Sequence, residues 1–205
     1  MNFRGIVRKV SLRRPHSALF LAVGTGLTLL LGACGPKTEI TNATPSTPPT
    51  NAARSADSQE VLAAAFNASS ENLFEAKTGT DLGKCRVFQQ CELIAGDEGL
   101  KVIATGDDAA IFLPSFAEDK RFILQVIIDS PVDSGIQLFH MLRGQKEYQE
   151  TKAPIYPIKK GTNTVYFRVD DAKTVDPLRL DPSFKSGEYT IKSIIARPIA
   201  APPTS

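Results

Sequence analysis

The sequence of 205 residues has no tryptophan, two methionines, two histidines and three cysteines. His16 lies in a segment that reads as an export signal, which leaves His140 as the single imidazole for chemistry. A Ser–His–Asp or Cys–His mechanism would need His140, and no G-x-S-x-G turn accompanies it. Zinc catalysis needs about three clustered ligands, and no phosphate-binding G-x-x-x-x-G-K-[ST] segment is present. The sequence therefore predicts no catalytic residues and no metal site, and His140 is interpreted as a structural strand residue.

A large excess of charge of one sign is also absent once the N-terminal segment is left out. The first 33 residues contain five Lys and Arg and no acid, so removing them changes 24 basic residues to 19, against 22 acidic residues and a net charge of −3. Nucleic-acid binding needs a basic surface that neutralises phosphates. The sequence therefore predicts that the protein does not bind nucleic acid.

The N-terminal segment has the order of an export signal. A cationic region of 17 residues precedes the apolar run Ala18–Leu31, which has about the length of a signal h-region and is short for a membrane-spanning helix of roughly 20 residues. Leu31-Gly32-Ala33-Cys34 follows at once. This resembles the lipobox of bacterial lipoproteins, which implies cleavage before Cys34, acylation of its thiol and anchoring in the cell envelope. In such lipoproteins an Asp directly after the acylated Cys favours retention in the inner membrane. Gly35 stands at this position, which implies that the protein lies in the outer membrane if the organism has one.

The remaining chain is divided by composition. Residues 34–57 are rich in Thr, Pro, Ala and Asn and predict a flexible linker from the lipidated Cys34. Residues 58–84 predict a helical lead-in that starts near Ser58, with Asp57 and Glu60 at capping-box spacing. Residues 85–198 predict one β domain, and residues 199–205 a disordered tail.

The pattern from residue 85 onward is that of short strands with Gly, Pro and Asp turns. Val165, Phe167 and Val169 alternate with polar neighbours, as in a half-buried strand. Ala95–Gly99 has the composition of a hairpin turn. About eight strands are predicted: Val87–Ile94, Leu100–Thr105, Ala109–Leu113, Arg121–Asp129, Gly135–Leu142, Asn163–Val169, Leu178–Leu180 and Glu188–Ala196. The expected fold class is an all-β antiparallel sandwich of the jelly-roll type.

Cys85 and Cys91 form an even pair in a chain read as exported, which favours a disulfide. Six residues of straight strand would separate them by about 20 Å, so the bond requires a turn within Arg86–Gln90. Two buried thiols are the alternative. The paired aspartates of the turns leave open a structural calcium ion, although they are also ordinary turn formers; no other cofactor is expected.

The candidate ligand-binding residues are Arg143, Tyr148, Tyr156 and Tyr166. A binder of pyranose rings needs flat aromatic faces with polar partners beside them. With tryptophan absent, tyrosine supplies the aromatic faces and arginine a polar partner. The alternative is that all four are ordinary strand-surface and loop residues.

Three stretches carry a family resemblance: Gly99–Asp108 with Ile111–Leu113 and Pro114, then Ile127–Pro131 with Ile136–Phe139, then Leu178–Pro182 with Gly187–Ile194. Their order resembles the galactose-binding-like jelly-roll domains attached to bacterial membrane glycosyltransferases and other surface proteins. The resemblance covers about Leu93 to Arg197. It implies a sandwich like that of carbohydrate-binding modules and transfers no ligand residues, because fold alone does not establish function.

These observations rank three functions. The first is a noncatalytic binding module on a lipid anchor, with an envelope or extracellular polysaccharide as ligand. The second is a protein–protein adaptor or structural envelope component, which a broad exposed apolar patch would favour. The third is a glycan-active enzyme, which would need two carboxylates at a set separation.

Overall fold

The computed structural model describes residues 57–199. Two helices and eleven strands lie in this part of the chain. The helices are α1 (Gln59–Asn67) and α2 (Gly79–Leu82), and a 3-10 turn spans Glu150–Lys152. The strands are β1 (Phe74–Ala76), β2 (Arg86–Gln89), β3 (Cys91–Gly96), β4 (Gly99–Ala104), β5 (Ala109–Phe112), β6 (Phe122–Ser130), β7 (Ser134–Leu142), β8 (Ile155–Ile158), β9 (Gly161–Val169), β10 (Thr174–Ser183) and β11 (Gly187–Pro198). Neither helix is long and apolar enough to cross a membrane, in the part of the chain described.

The strands form two sheets. The first has the order β3-β4-β11-β6-β9, with β1 paired to the second half of β11, and the second has the order β2-β5-β10-β7-β8. Every strand pair is antiparallel. The two sheets pack face to face, so the predicted all-β antiparallel sandwich is confirmed.

The core fills the space between the sheets. Alternate residues of β6 point inward, from Phe122 to Ile128, as do Val165, Phe167 and Val169 of β9. Burying one such side chain stabilises the fold by about 1.5–3 kcal/mol. Tyr189 is also fully buried, and its hydroxyl donates to the Lys185 carbonyl at 2.9 Å. The apolar alternation in the sequence therefore marks the core-facing residues correctly.

Helix α1 covers part of the outer surface of the first sheet. Ser58 is its N-cap, and the hydroxyl accepts from the Val61 amide at 3.4 Å. Phe66 packs on Ile123 and Ile195, which face away from the sandwich core. The predicted start of the helix is confirmed, whereas Asp57 is not the cap and instead pairs with an arginine of β9.

The edge strand β9 is joined to α1 through one side-chain amide. Gln59 Nε2 donates to the Tyr166 carbonyl at 3.0 Å, and its Oε1 accepts from the Tyr166 amide at 2.8 Å. Gln59 therefore bonds both backbone groups of Tyr166, as a neighbouring strand would.

The structure differs from the predicted elements in three places. The run Val87–Ile94 is two strands in different sheets, because the chain turns at Gln90, where φ is 47°. The lead-in 58–84 contains the strand β1 between its helices, and β8 lies in a segment where the sequence predicts no strand. Strands β1, β2 and β8 are short, and β1 pairs with the distant strand β11.

Cys85 and Cys91 flank this turn, and both are free thiols in the structure, so the predicted disulfide is not present. The Cys91 thiol instead donates to the Ala110 carbonyl at 3.5 Å. Burial raises the pKa of Cys85 to about 12 and also raises that of Cys91. Both thiols are therefore protonated at neutral pH and poor nucleophiles.

Candidate ligand-binding face

The outer surface of the second sheet has a row of alternating arginines and phenylalanines. Arg86 lies opposite Phe112, Phe112 lies opposite Arg179, and Arg179 lies opposite Phe139. Residues directly opposite on neighbouring strands share one face of the sheet and contact each other. We call this outer surface, centred on Arg179, the arginine face.

The Arg179 guanidinium lies between two aromatic rings. Its central carbon is 4.9 Å from the Phe88 ring centroid and 4.8 Å from that of Phe139. Phe88 also packs against Phe112 at 4.8 Å between centroids, and Arg86 lies 5.8 Å over the Phe112 ring. Cation–π contacts of this kind contribute about 0.5–2 kcal/mol each, more as they lose water. The side chain of Arg179 is only 15% exposed, so its contacts are among the stronger ones.

Two carboxylates hold the same guanidinium. Arg179 Nε donates to Asp181 Oδ1 at 2.8 Å, and Nη2 donates to Asp181 Oδ2 at 2.7 Å. Nη2 also donates to Asp108 Oδ1 at 3.1 Å. The side chain of Asp181 is 4% exposed, whereas that of Asp108 is 55% exposed. The arginine face therefore has one carboxylate beneath Arg179 and a second one at the surface.

Burial raises the pKa of Asp181 to about 6, although the hydrogen bonds and charge of Arg179 act in the opposite direction. The charge of Asp108 adds to the rise. Ionised Asp181 is disfavoured because water cannot reach it. The carboxyl is thus mostly charged at neutral pH and mostly protonated below pH 6.

Asp108 is placed by two glutamines at the turn between the sheets. Gln90 accepts from the Thr105 amide through its carbonyl at 2.9 Å and from the Asp108 amide through Oε1 at 3.4 Å. Gln89 Nε2 donates to the Asp108 carbonyl at 3.1 Å and to its carboxylate. The segment Thr105–Asp108 is therefore bonded to β2, next to Arg179.

The connection from β7 to β8 folds over the part of the arginine face that lies on β7 and β10, away from the edge strand β2. Tyr148 packs edge-on against Phe139, with the centroids 6.2 Å apart, and its hydroxyl donates to the Pro177 carbonyl at 2.8 Å. Gln137 Nε2 donates to the Ala153 carbonyl at 2.8 Å. Phe139 and Gln137 point outward from the sheet and are nevertheless buried. Phe88 packs on this row and is 40% exposed, so it is the most open aromatic ring of the arginine face.

The structure separates the four sequence-predicted ligand residues. Tyr148 lies on the arginine face. Arg143 follows β7 and pairs with Asp119 at 2.6 Å. Tyr156 is 7% exposed between the sheets, with its ring 5.4 Å from that of a core phenylalanine, so it has no free face for a ligand. Tyr166 lies on the other sheet beside α1, where its hydroxyl accepts from Gln125 Nε2 at 2.9 Å.

Sequence reasoning missed Phe88, Phe112, Arg179 and Asp181. A signal for two of them exists in Leu178-Arg179-Leu180-Asp181, whose alternation places Arg179 and Asp181 on one outward face. An Arg and an Asp two residues apart are typical of any solvated strand, however, and only the register of β10 with β5 and β7 brings them to phenylalanines.

Residues 57–199 offer few other groups for catalysis or metal binding. They hold no group of three His, Cys, Asp or Glu side chains that could bind a metal ion. His140 is half-buried, and burial lowers its pKa. Two shallow hollows adjoin the β3–β4 turn, away from the arginine face, and share Gly96 and Asp97 in their linings. The arginine face brings three cation–π contacts and two carboxylates together at one place on the sheet.

Comparison with family models finds no match, and neither does comparison with the sequences of curated proteins. Solved structures do match. The chain is similar to the modules of endo-1,4-β-D-xylanase 10B from Clostridium thermocellum, solved in complex with xylohexaose, with a TM-score of 0.50 and 7% identity over 63% of this chain and 29% of that one.

Two further structures are similar in the same way. One is the second N-terminal cellulose-binding domain of β-1,4-glucanase C from Cellulomonas fimi, with a TM-score of 0.49 and 15% identity over 65% of this chain and 98% of that chain. The other is a family 29 carbohydrate-binding module from Piromyces equi, with a TM-score of 0.41 and 16% identity over 55% and 79%. At such low sequence identities the similarity shows the fold and nothing more. The chain has the β-sandwich fold found in carbohydrate-binding modules.

Proposed function

We propose that this chain is a noncatalytic polysaccharide-binding module and that its ligand lies on the arginine face. The observation that supports it most directly is the row of stacked aromatic and guanidinium groups with carboxylates beside it. Ligand sites combine apolar or aromatic surface with a few convergent polar groups. Phe88 offers an exposed ring edge for the apolar side of a sugar, and Asp108 offers acceptor oxygens for hydroxyl groups.

Arg179 supplies the matching donor. Its Nε and Nη2 are committed to carboxylates, whereas Nη1 has no hydrogen-bond partner among residues 57–199. A guanidinium has five N–H donors in a fixed plane. The free edge of this plane is held rigidly by the two rings and two acids, so it can position a sugar hydroxyl with little loss of side-chain entropy.

A noncatalytic role fits the carboxylates better than hydrolysis does. A glycosidase needs two carboxyl groups that both reach the scissile bond. Asp181 is buried under Arg179, with both oxygens accepting hydrogen bonds from it. The likeness to binding modules points the same way.

Membrane attachment is the second part of the proposal. The segment Leu31–Cys34 supports lipidation of Cys34, and residues 34–57 supply a linker. Several acyl chains at about 0.8 kcal/mol per buried CH₂ give a stable anchor. The module would then hold an envelope or extracellular polysaccharide at the cell surface, with the outer membrane as its location. Mass spectrometry of the protein from membranes tests this part, because a Cys34→Ser variant would lack the acyl mass.

The ligand experiment compares two single substitutions in the full chain purified in detergent. Phe88→Ala removes the exposed ring of the arginine face, and Ile94→Ala removes an exposed apolar side chain from the other sheet. Titration calorimetry with a panel of soluble polysaccharides should show saturable binding. Loss of an aromatic contact at a binding site costs about 1–2 kcal/mol. We expect Phe88→Ala to weaken binding about tenfold and Ile94→Ala to leave it unchanged.

An adaptor role is the alternative, and one observation favours it. Val87 and Phe88 on β2 and Ile155 on β8 are exposed apolar side chains at the two edges of the same sheet. Val87 and Phe88 adjoin each other, and neighbouring exposed apolar groups can form part of a protein interface. Absence of binding across the polysaccharide panel, together with a cross-linked protein partner that Phe88→Ala abolishes, would establish the adaptor role instead.

A further inference from the structure

We infer that the arginine face selects uncharged polysaccharide chains and rejects chains that carry uronate or sulfate groups. The inference rests on the proposed function, because it names the class of ligand for the same surface. It is argued from the charges that surround the Arg179 guanidinium.

The positive charge of Arg179 is already outweighed by the negative charges of the carboxylates that bond it. Asp181 bonds it through both oxygens, and Asp108 bonds it through Oδ1. One guanidinium against two ionised carboxylates leaves a net charge of −1 at the centre of the face. Glu150, in the connection that folds over the same surface, adds a further acid that acts on Asp181. An anionic ligand would therefore approach negative charge.

The geometry of the guanidinium fixes how close that approach would be. A ligand acceptor that bonds Nη1 lies within several ångströms of the carboxylates bonded to Nη2 and Nε, because the guanidinium nitrogens are fixed in one plane. Two like charges at this distance repel appreciably at the effective dielectric of a protein surface, enough to weaken binding about tenfold. A neutral hydroxyl accepts from Nη1 and can donate to Asp108 without this penalty.

The positive charge of Arg86 attracts an anionic ligand and so opposes this repulsion. Arg86 is the other cation of the row, where it lies over the Phe112 ring and forms no ion pair among residues 57–199. It is also exposed, so solvent screens its attraction for an anion. Arg86 therefore tests the inference, because its removal should increase the discrimination that Asp108 produces.

The experiment uses the full chain and matched polymers that differ at one group of the sugar ring, which is neutral in one form and anionic in the other. The probes are soluble glucans and mannans, and the same polymers after oxidation of their primary hydroxyls to carboxylates. Affinities are measured by calorimetry at 20 mM and 500 mM NaCl. We expect the neutral form to bind at least tenfold more tightly at low salt, and we expect this ratio to shrink at high salt because charge repulsion is screened.

Two substitutions assign the ratio to named residues. Asp108→Asn removes the exposed carboxylate and keeps its shape, so the ratio of neutral to oxidised affinity should fall severalfold. Arg86→Gln should increase the same ratio. An oxidised polymer that binds as tightly as its neutral form, or a ratio that ignores both substitutions and salt, would overturn the inference while leaving polysaccharide binding intact. If no neutral or oxidised polymer binds, or if Phe88→Ala weakens none, the proposed function itself fails.

Discussion

The carboxyl of Asp181 should make the protein more stable in mild acid, which is the reverse of the usual behaviour of carboxylates. Burial raises its pKa from 3.8 to about 6. The folded protein therefore holds this proton more tightly than the unfolded chain does. The stability gained by protonation is fully present below pH 3.8 and is lost as pH rises through about 6.

The size of the effect follows from these two pKa values. Linkage gives about 3 kcal/mol between the fully protonated and fully ionised limits, and about 1.4 kcal/mol between pH 7.5 and pH 5. The Asp181→Asn variant keeps the shape of the side chain and has no proton to gain. The free energy of unfolding of the wild-type protein, minus that of the variant, should therefore increase by about 1.4 kcal/mol as pH falls from 7.5 to 5.

Urea denaturation at pH 5, 6, 7 and 7.5 measures this difference, and Asp129→Asn is the matched control. Hydrogen bonds from Lys192 and Thr162 lower the pKa of Asp129, so its contribution to stability is present above pH 3.8 and lost only below that. Its difference curve should be flat from pH 7.5 to 5. A flat curve for Asp181→Asn as well would show that the attraction of Arg179 outweighs burial and that our account of this pair is wrong.

Two further predictions concern stability. Ser193 has a buried hydroxyl with no hydrogen-bond partner within residues 57–199, so Ser193→Ala should raise the free energy of unfolding by about 1 kcal/mol in urea denaturation; a loss of stability would show that the hydroxyl has a bonding partner after all. Gly99 has a φ of +127° and lies against the Ile191 carbonyl oxygen, so Gly99→Ala should lower the free energy of unfolding by about 3 kcal/mol. Gly96→Ala, in the same hairpin with open space around it, should change it by less than about 0.5 kcal/mol, and equal effects at the two glycines would refute the reasoning.

Much of the fold follows from local sequence. The alternation of Val165, Phe167 and Val169 marks an inward face because successive strand residues point to opposite sides. The hairpin at residues 95–99 is confirmed, with Gly96 paired to Gly99. Strand β8 could not be predicted in this way, since Pro157 lies within it and proline argues against a strand unless it is at a sheet edge. β8 is indeed an edge strand.

The candidate site could be predicted only in part, for a different reason. A tyrosine is a candidate ligand residue by its side-chain type, and type does not tell whether a residue faces the core, as Tyr156 does, or the surface. The arginine face depends on pairing between residues about 70 positions apart, such as Phe112 and Arg179. Strand register at that range is decided by the whole core, so no local pattern reports it.

The amide of Gln59 has a mechanical consequence. If the chain is held at its N-terminus, a pull on the bound module enters the domain at Asp57 and Ser58. The load falls first on the ion pair of Asp57 with Arg168, and then on the two hydrogen bonds of Gln59 to Tyr166 and on the packing of Phe66, ahead of any strand of the second sheet. Helix α1 would peel from the first sheet before the arginine face is strained. Under the proposed attachment, the fold would therefore yield first at α1, while the contacts of the arginine face stay intact.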